Sequence, residues 1–198
     1  MSALSPQTDA KTRRLGLVKS HLEDSKKVTP DSIEEYRLLW EAFNVMYEAG
    51  FSELARTPYD QINEKDLVIH CAFKLEYSEW RELFEGSKLD VLLSIPPIFD
   101  ERIFNRTDQK NDSKYRNLVR CAKRPFRGKS NEDKRTYEAL IVLLYLVRCN
   151  LFHGFKTPDG PRDQEVMKAT VPLLREIVTK LASRFLKEEI SIEGEIPE

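Results

Sequence analysis

Residues 137–156 read YEALIVLLYLVRCNLFHGFK, and every residue from Ala139 to Val147 is apolar or aromatic. That run is well short of the ~20 residues a bilayer crossing requires, so it predicts a core helix and not a membrane span. A helix that is apolar on every side is covered on every side. In one small bundle, part of that cover is expected to come from a second copy of the chain. Ser130 or Asn131 is placed to cap the helix, with Glu132 and Asp133 in its first turn. The stretch HGFKTPDGP, 153–161, closes it near Phe152 with two glycines and two prolines.

Upstream, Ile33, Tyr36, Leu39, Trp40, Phe43, Met46 and Tyr47 form one broad apolar stripe at helical spacing, with Gly50 as the stop. Thr29 or Asp31 is the expected cap, with Pro30 in the first turn. A single helical period is expected from Lys65 to Gly86 through Leu67, Ile69, Phe73, Leu75, Trp80 and Phe84. Tandem Pro96 and Pro97 forbid helix where they stand. Short helices are expected near 99–106 and 114–123, then a loop, and a last helix over 163–188. Leu15, Val18 and Leu22 predict a short amphipathic helix over 14–26. The expected architecture is all-α, an irregular four- to five-helix bundle. It divides into an N-terminal extension (1–28), a helical domain (29–188) with a basic insertion at 95–131, and an acidic tail (189–198).

Length and composition agree with one domain: 198 residues, 40% hydrophobic, 33% charged, net charge −1. Cys71, Cys121 and Cys149 contain no CxxC pair and leave an odd thiol, which fits a reducing cytoplasm. His70 beside Cys71 lacks a second ligand pair, so it reads as a hydrogen-bonded structural histidine and not as a zinc ligand. No apolar segment follows KTRR near the start, so no secretory signal is read there.

The apolar helix runs straight into Arg148, Asn150 and His153. One reading is a C-terminal cap, since cations suit the exposed carbonyls at a helix end. The other is a phosphodiester site. Histidine exchanges protons near neutral pH, and arginine holds a developing phosphorane charge bidentately. Arg148 and His153 are about 140° apart on an ideal helix, so they converge only if the helix ends or distorts between them. Asn150 and His153, three apart, share a face. No carboxylate cluster accompanies them to hold magnesium. The chemistry that fits is attack by an RNA 2′-hydroxyl on its own phosphate, with no metal and no cofactor. Between Arg102 and Arg135 twelve bases face four acids. Lys123, Arg124, Arg127 and, beyond the motif, Lys156 are the candidate RNA-binding residues. A solvated basic surface is the competing reading of the same charges.

RCNLFHG resembles the R-x4–6-H motif of the higher eukaryotes and prokaryotes nucleotide-binding (HEPN) domains. YRLLWEAFNVMYE is similar to the aromatic opening helix of many of them, with Phe43-Asn44 in the usual place. The resemblance spans residues 31–188. It implies a small all-α bundle that dimerises through the motif helix. It also implies a metal-independent endoribonuclease in which Arg148 stabilises the phosphorane, His153 transfers protons and Asn150 orients either the histidine or the phosphate. A toxin or antiviral-defence effector follows, with an antitoxin or regulatory protein as a further partner. Two positions depart from the family. Cys149 stands where Asn, Asp or His is common, and Phe155 stands where some toxins carry a tyrosine that a partner adenylylates. The alternatives are a non-catalytic HEPN module binding RNA or nucleotide, and a purely structural helical dimer.

Overall fold

The computed structural model describes residues 6–49, 63–85, 90, 117–124, 127, 130–152 and 160–193. Among the described residues every regular element is helical, as the sequence predicts. These are α1 (Pro6–Ser25), α2 (Ile33–Ala49), α3 (Glu64–Ala72), α4 (Tyr77–Glu85), α5 (Ser130–Phe152) and α6 (Pro161–Glu193). Residues 117–122 are also helical. Gly50, Gly86, the tandem prolines and the helix expected near 99–106 lie outside the described residues. The helices form two compact units. The first takes Met1–Pro30, Glu34–Leu75 and Leu174–Glu198, and the second takes Asp31–Ile33 and Glu76–Leu173.

The first unit is organised around α2. Tyr36, Leu39, Trp40, Phe43, Met46 and Tyr47 are all buried, as the stripe predicts. Their rings follow one another along the helix. Tyr36 stacks on Trp40 (centroids 6.0 Å apart), and Trp40 meets Phe43 and Phe43 meets Tyr47 edge to face (5.4 and 5.6 Å). Tyr47 takes its phenol to the edge of this ladder and donates to Glu64 at 2.7 Å. Helix α1 buries Val18, half-buries Leu15 and Leu22, and sets His21 against Glu41 of α2 at 3.4 Å. It begins at Pro6, earlier than the apolar period predicts. Its first turns carry polar residues that give no period to read, while proline at the first helical position fits a helix start.

Two other boundaries differ from the sequence reading. Helix α2 starts at Ile33, because Asp31 has φ 56° and so turns the chain in the left-handed region, which Asp tolerates better than most residues. Pro30 therefore belongs to the preceding turn and not to the helix. The single helix expected over 65–86 is two, α3 and α4. Phe73 caps α3 and its amide reaches the Ile69 and Cys71 carbonyls, while Lys74 and Leu75 donate three residues back and tighten the end. The freed Lys74 carbonyl accepts Arg184 of α6 at 3.1 Å. Glu79 then folds its carboxylate back onto the Glu76 amide at 2.7 Å, the reciprocal half of a capping box, and starts α4 afresh.

The second unit is built where α4 meets α5. Trp80 stacks on Tyr137 with centroids 3.9 Å apart and planes 12° from parallel, and Phe84 meets the same tyrosine edge to face. Helix α6 opens on Pro161, and the Gly160 carbonyl receives the first of its bonds, from Gln164. It is longer than expected at both ends and carries Pro172 inside. Proline there removes the amide that would bond the carbonyl four residues back. Val171, Leu173 and Leu174 around it are buried, and that packing keeps the helix going. Thr170 bonds its hydroxyl back to the Val166 carbonyl in the preceding turn.

Candidate functional site

Helix α5 carries the motif, and it runs unbroken past Arg148 and Asn150 to Phe152. Any departure from helix that turns His153 toward Arg148 therefore starts after Phe152. His153, Lys156 and the Asn150 side chain lie outside the described residues, so the expected convergence of the trio does too.

Arg148 is half-buried, with its Nε atom enclosed. Its guanidinium carbon lies 5.8 Å from the centre of the Tyr145 ring, one turn earlier on the same helix. That is within the range over which a ring face attracts a cation. The stacking leaves the guanidinium less hydrated than a freely solvated one. It also orients it, and orientation is what a bidentate contact to a phosphate requires.

The apolar run is covered more fully by its own chain than the sequence suggests. Ala139, Leu140, Ile141, Leu143, Leu144 and Val147 are buried. Val142, Tyr145 and Leu146 are half-buried, and with half-buried Cys149 they occupy positions i, i+3, i+4 and i+7. All-round apolarity thus does not by itself require a second copy, because six of the nine residues are already enclosed. The case for a partner narrows to that one stripe.

Of the candidate RNA-binding residues, Lys123, Arg124 and Arg127 are exposed, as are Arg120, Lys134 and Arg135. All belong to the unit that carries Arg148. Arg120 donates to Asn117 at 2.7 Å within the same short helix. Asp133 was expected only as one of two acids favouring the start of α5, and the structure gives it a larger part. It is buried, and its two oxygens accept the Tyr77 hydroxyl at 2.6 Å and the Arg127 amide at 2.9 Å. No sequence signal separates it from Glu132 beside it, which is exposed. His70 is half-buried in α3 next to buried Cys71. Among the described residues no three His, Cys, Asp or Glu side chains gather where they could hold a metal ion, and no helix is long and apolar enough to cross a membrane.

Comparison with protein-family models, with curated proteins and with solved structures finds no match to this chain.

Proposed function

We propose that this chain is a metal-independent endoribonuclease of the HEPN kind, a helical bundle that dimerises through α5 and serves as a cytoplasmic toxin or antiviral-defence effector. The observation that carries the reading is the end of α5. An apolar helix closes on R-x4-H-G, and its arginine is half-buried and oriented over Tyr145. Arg148 neutralises the phosphorane, His153 takes the proton from the attacking 2′-hydroxyl or gives one to the leaving 5′-oxygen, and Asn150 orients the histidine or the phosphate. The half-buried stripe of Val142, Tyr145, Leu146 and Cys149 supports dimerisation, since a second α5 laid along it would bring two motifs together.

The test is RNA cleavage by the purified chain in EDTA. Products should carry a cyclic phosphate and a 5′-hydroxyl, and DNA should survive, because it lacks the nucleophile. His153→Ala and Arg148→Ala should each slow cleavage by about 10² or more, with helicity and oligomeric state unchanged. Asn150→Ala should cost less, since water can replace part of an orienting amide. A folded His153→Ala that cuts at the full rate would sink the catalytic reading. An antitoxin or regulatory protein is a further partner of that toxin reading. The second reading is a non-catalytic module that binds RNA or nucleotide or serves as a regulatory subunit. The third is a purely structural helical dimer, and the packing of Arg148 on Tyr145 fits it, since that contact alone accounts for an arginine at that place.

A further inference from the structure

We propose that Asp133 is a positioning residue that holds Arg127, and with it the exposed cations Lys123 and Arg124, as a phosphate-binding edge for the backbone of single-stranded RNA. The inference rests on the reading of the protein as one that acts on RNA, and it assigns that reading a second set of residues. Asp133 lies in the most basic part of the chain, yet it is 1% exposed while Lys134 and Arg135 beside it are exposed. A carboxylate is buried only where hydrogen bonds replace its water. Both oxygens are used, one by Tyr77 and the other by the backbone of Arg127.

The second bond has a particular consequence. The carboxylate takes the Arg127 amide, a main-chain group, while the Arg127 side chain is exposed. Arg127 is therefore tied down through its backbone, while its side chain and those of Lys123 and Arg124 face solvent. Tyr77 is itself set against Trp80 at 6.4 Å, and Trp80 stacks on Tyr137, so the tether reaches the core of the unit. Withdrawal of Asp133 also removes an anion from the surface. Among the described residues from 117 to 135, six exposed cations face one exposed acid, Glu132. A fixed row of cations binds a polyanion more tightly than a loose one, because less side-chain and loop freedom is lost on binding.

The experiment measures the full chain binding a 2′-O-methyl oligouridylate, which a 2′-hydroxyl mechanism cannot cut, across a salt series. Each phosphate contact on a single strand contributes about 0.7 to the slope of log K against log salt. Asp133→Ala should flatten the slope by about 0.7 to 1.4 and weaken binding several-fold. On cleavable RNA it should raise KM and leave kcat within about twofold, as loss of binding alone does. Asp133→Asn, which keeps an acceptor for the Arg127 amide, should restore most of the affinity. Tyr77→Phe removes only one of the two bonds and should give a smaller loss of the same kind, and it carries the test if Asp133→Ala does not fold. If the wild type binds RNA and folded Asp133→Ala and Tyr77→Phe match it in slope and KM, the role of Asp133 is overturned while the RNA reading stands. A wild type that neither binds the oligonucleotide nor cuts RNA overturns both.

Discussion

Each unit contains one of the two tryptophans, and they are held in opposite ways. In the first unit Trp40 lies between Tyr36 and Phe43 of its own helix, so α2 brings its aromatic ladder with it. In the second, Trp80 of α4 meets Tyr77 of its own helix edge to face at 6.4 Å, but its close stack, at 3.9 Å, is on Tyr137 of α5, 57 positions away along the chain. The ion-bonded groups differ similarly. The first unit closes on Glu35 and Arg175, a bidentate pair with distances of 2.6 and 2.9 Å spanning 140 positions. The second holds Asp133, whose oxygens take a phenol at 2.6 Å and a backbone amide at 2.9 Å. Local spacing can prepare a contact, but only the fold can make one between distant segments.

The largest expected effect tests the two tryptophans against each other. Trp40→Ala and Trp80→Ala should each cost about 3–5 kcal/mol in chemical denaturation, the usual range for emptying a buried indole. The loss at Trp40 should be the greater, because it is 2% exposed and Trp80 is 8% exposed. With one tryptophan per unit, Trp40→Phe leaves fluorescence that reports the second unit alone, and Trp80→Phe does the reverse. A cost below about 1 kcal/mol for Trp80→Ala would show that the stack on Tyr137 is not what anchors α4.

A middle-sized effect is expected at the ion pair, and it should be lopsided. Arg175→Ala deprives a carboxylate that is 5% exposed of its guanidinium and should cost about 3 kcal/mol. Glu35→Ala leaves an arginine that is 40% exposed and able to hydrate, so about 1–2 kcal/mol is expected. The double variant should cost less than the two losses added together. Equal single losses would mean that burial of the acid is not the deciding factor.

The smallest effect concerns the end of α1. Lys27 donates to Asp24 at 2.8 Å, and that hydrogen bond, with its charge, holds the Asp24 carboxyl below its ordinary value. A lowered carboxylate contributes above the ordinary carboxylate range and loses that contribution as pH falls through it. Both side chains are open to solvent, Lys27 at 70% and Asp24 at 46% exposure, so Lys27→Ala should raise the Asp24 titration seen by NMR and leave the unfolding midpoint at neutral pH within error. A clear shift in that midpoint would assign the pair a packing role that its exposure argues against.

Much of the fold is legible in the sequence where the signal is local. The stripe of α2 predicts its buried face, and the apolar run of α5 predicts a covered helix ending at Phe152. The break between α3 and α4 is not legible, because the apolar spacing continues through Phe73 and Leu75 while the backbone does not. The last helix is expected straight through Pro172 from its apolar spacing, and the burial of Val171, Leu173 and Leu174 explains why α6 continues past it. At the candidate site the pattern around Arg148 can be read directly from the motif. Its ring partner Tyr145 sits one turn back, yet Tyr145 looks in sequence like one more apolar residue of the run. Asp133 is the residue that sequence reasoning missed. Its value depends on Tyr77 and Arg127, and neither is identified as its partner by spacing.

The division of the chain also sets an order of events during synthesis. The first unit draws on residues near both ends, and the Glu35 carboxylate must wait for Arg175 to emerge. The second unit, apart from three residues, is one stretch from Glu76 to Leu173, so its contacts can form while the ribosome is still making the rest of α6. The N-terminal helices thus leave the ribosome first and gain their link to Arg175 last.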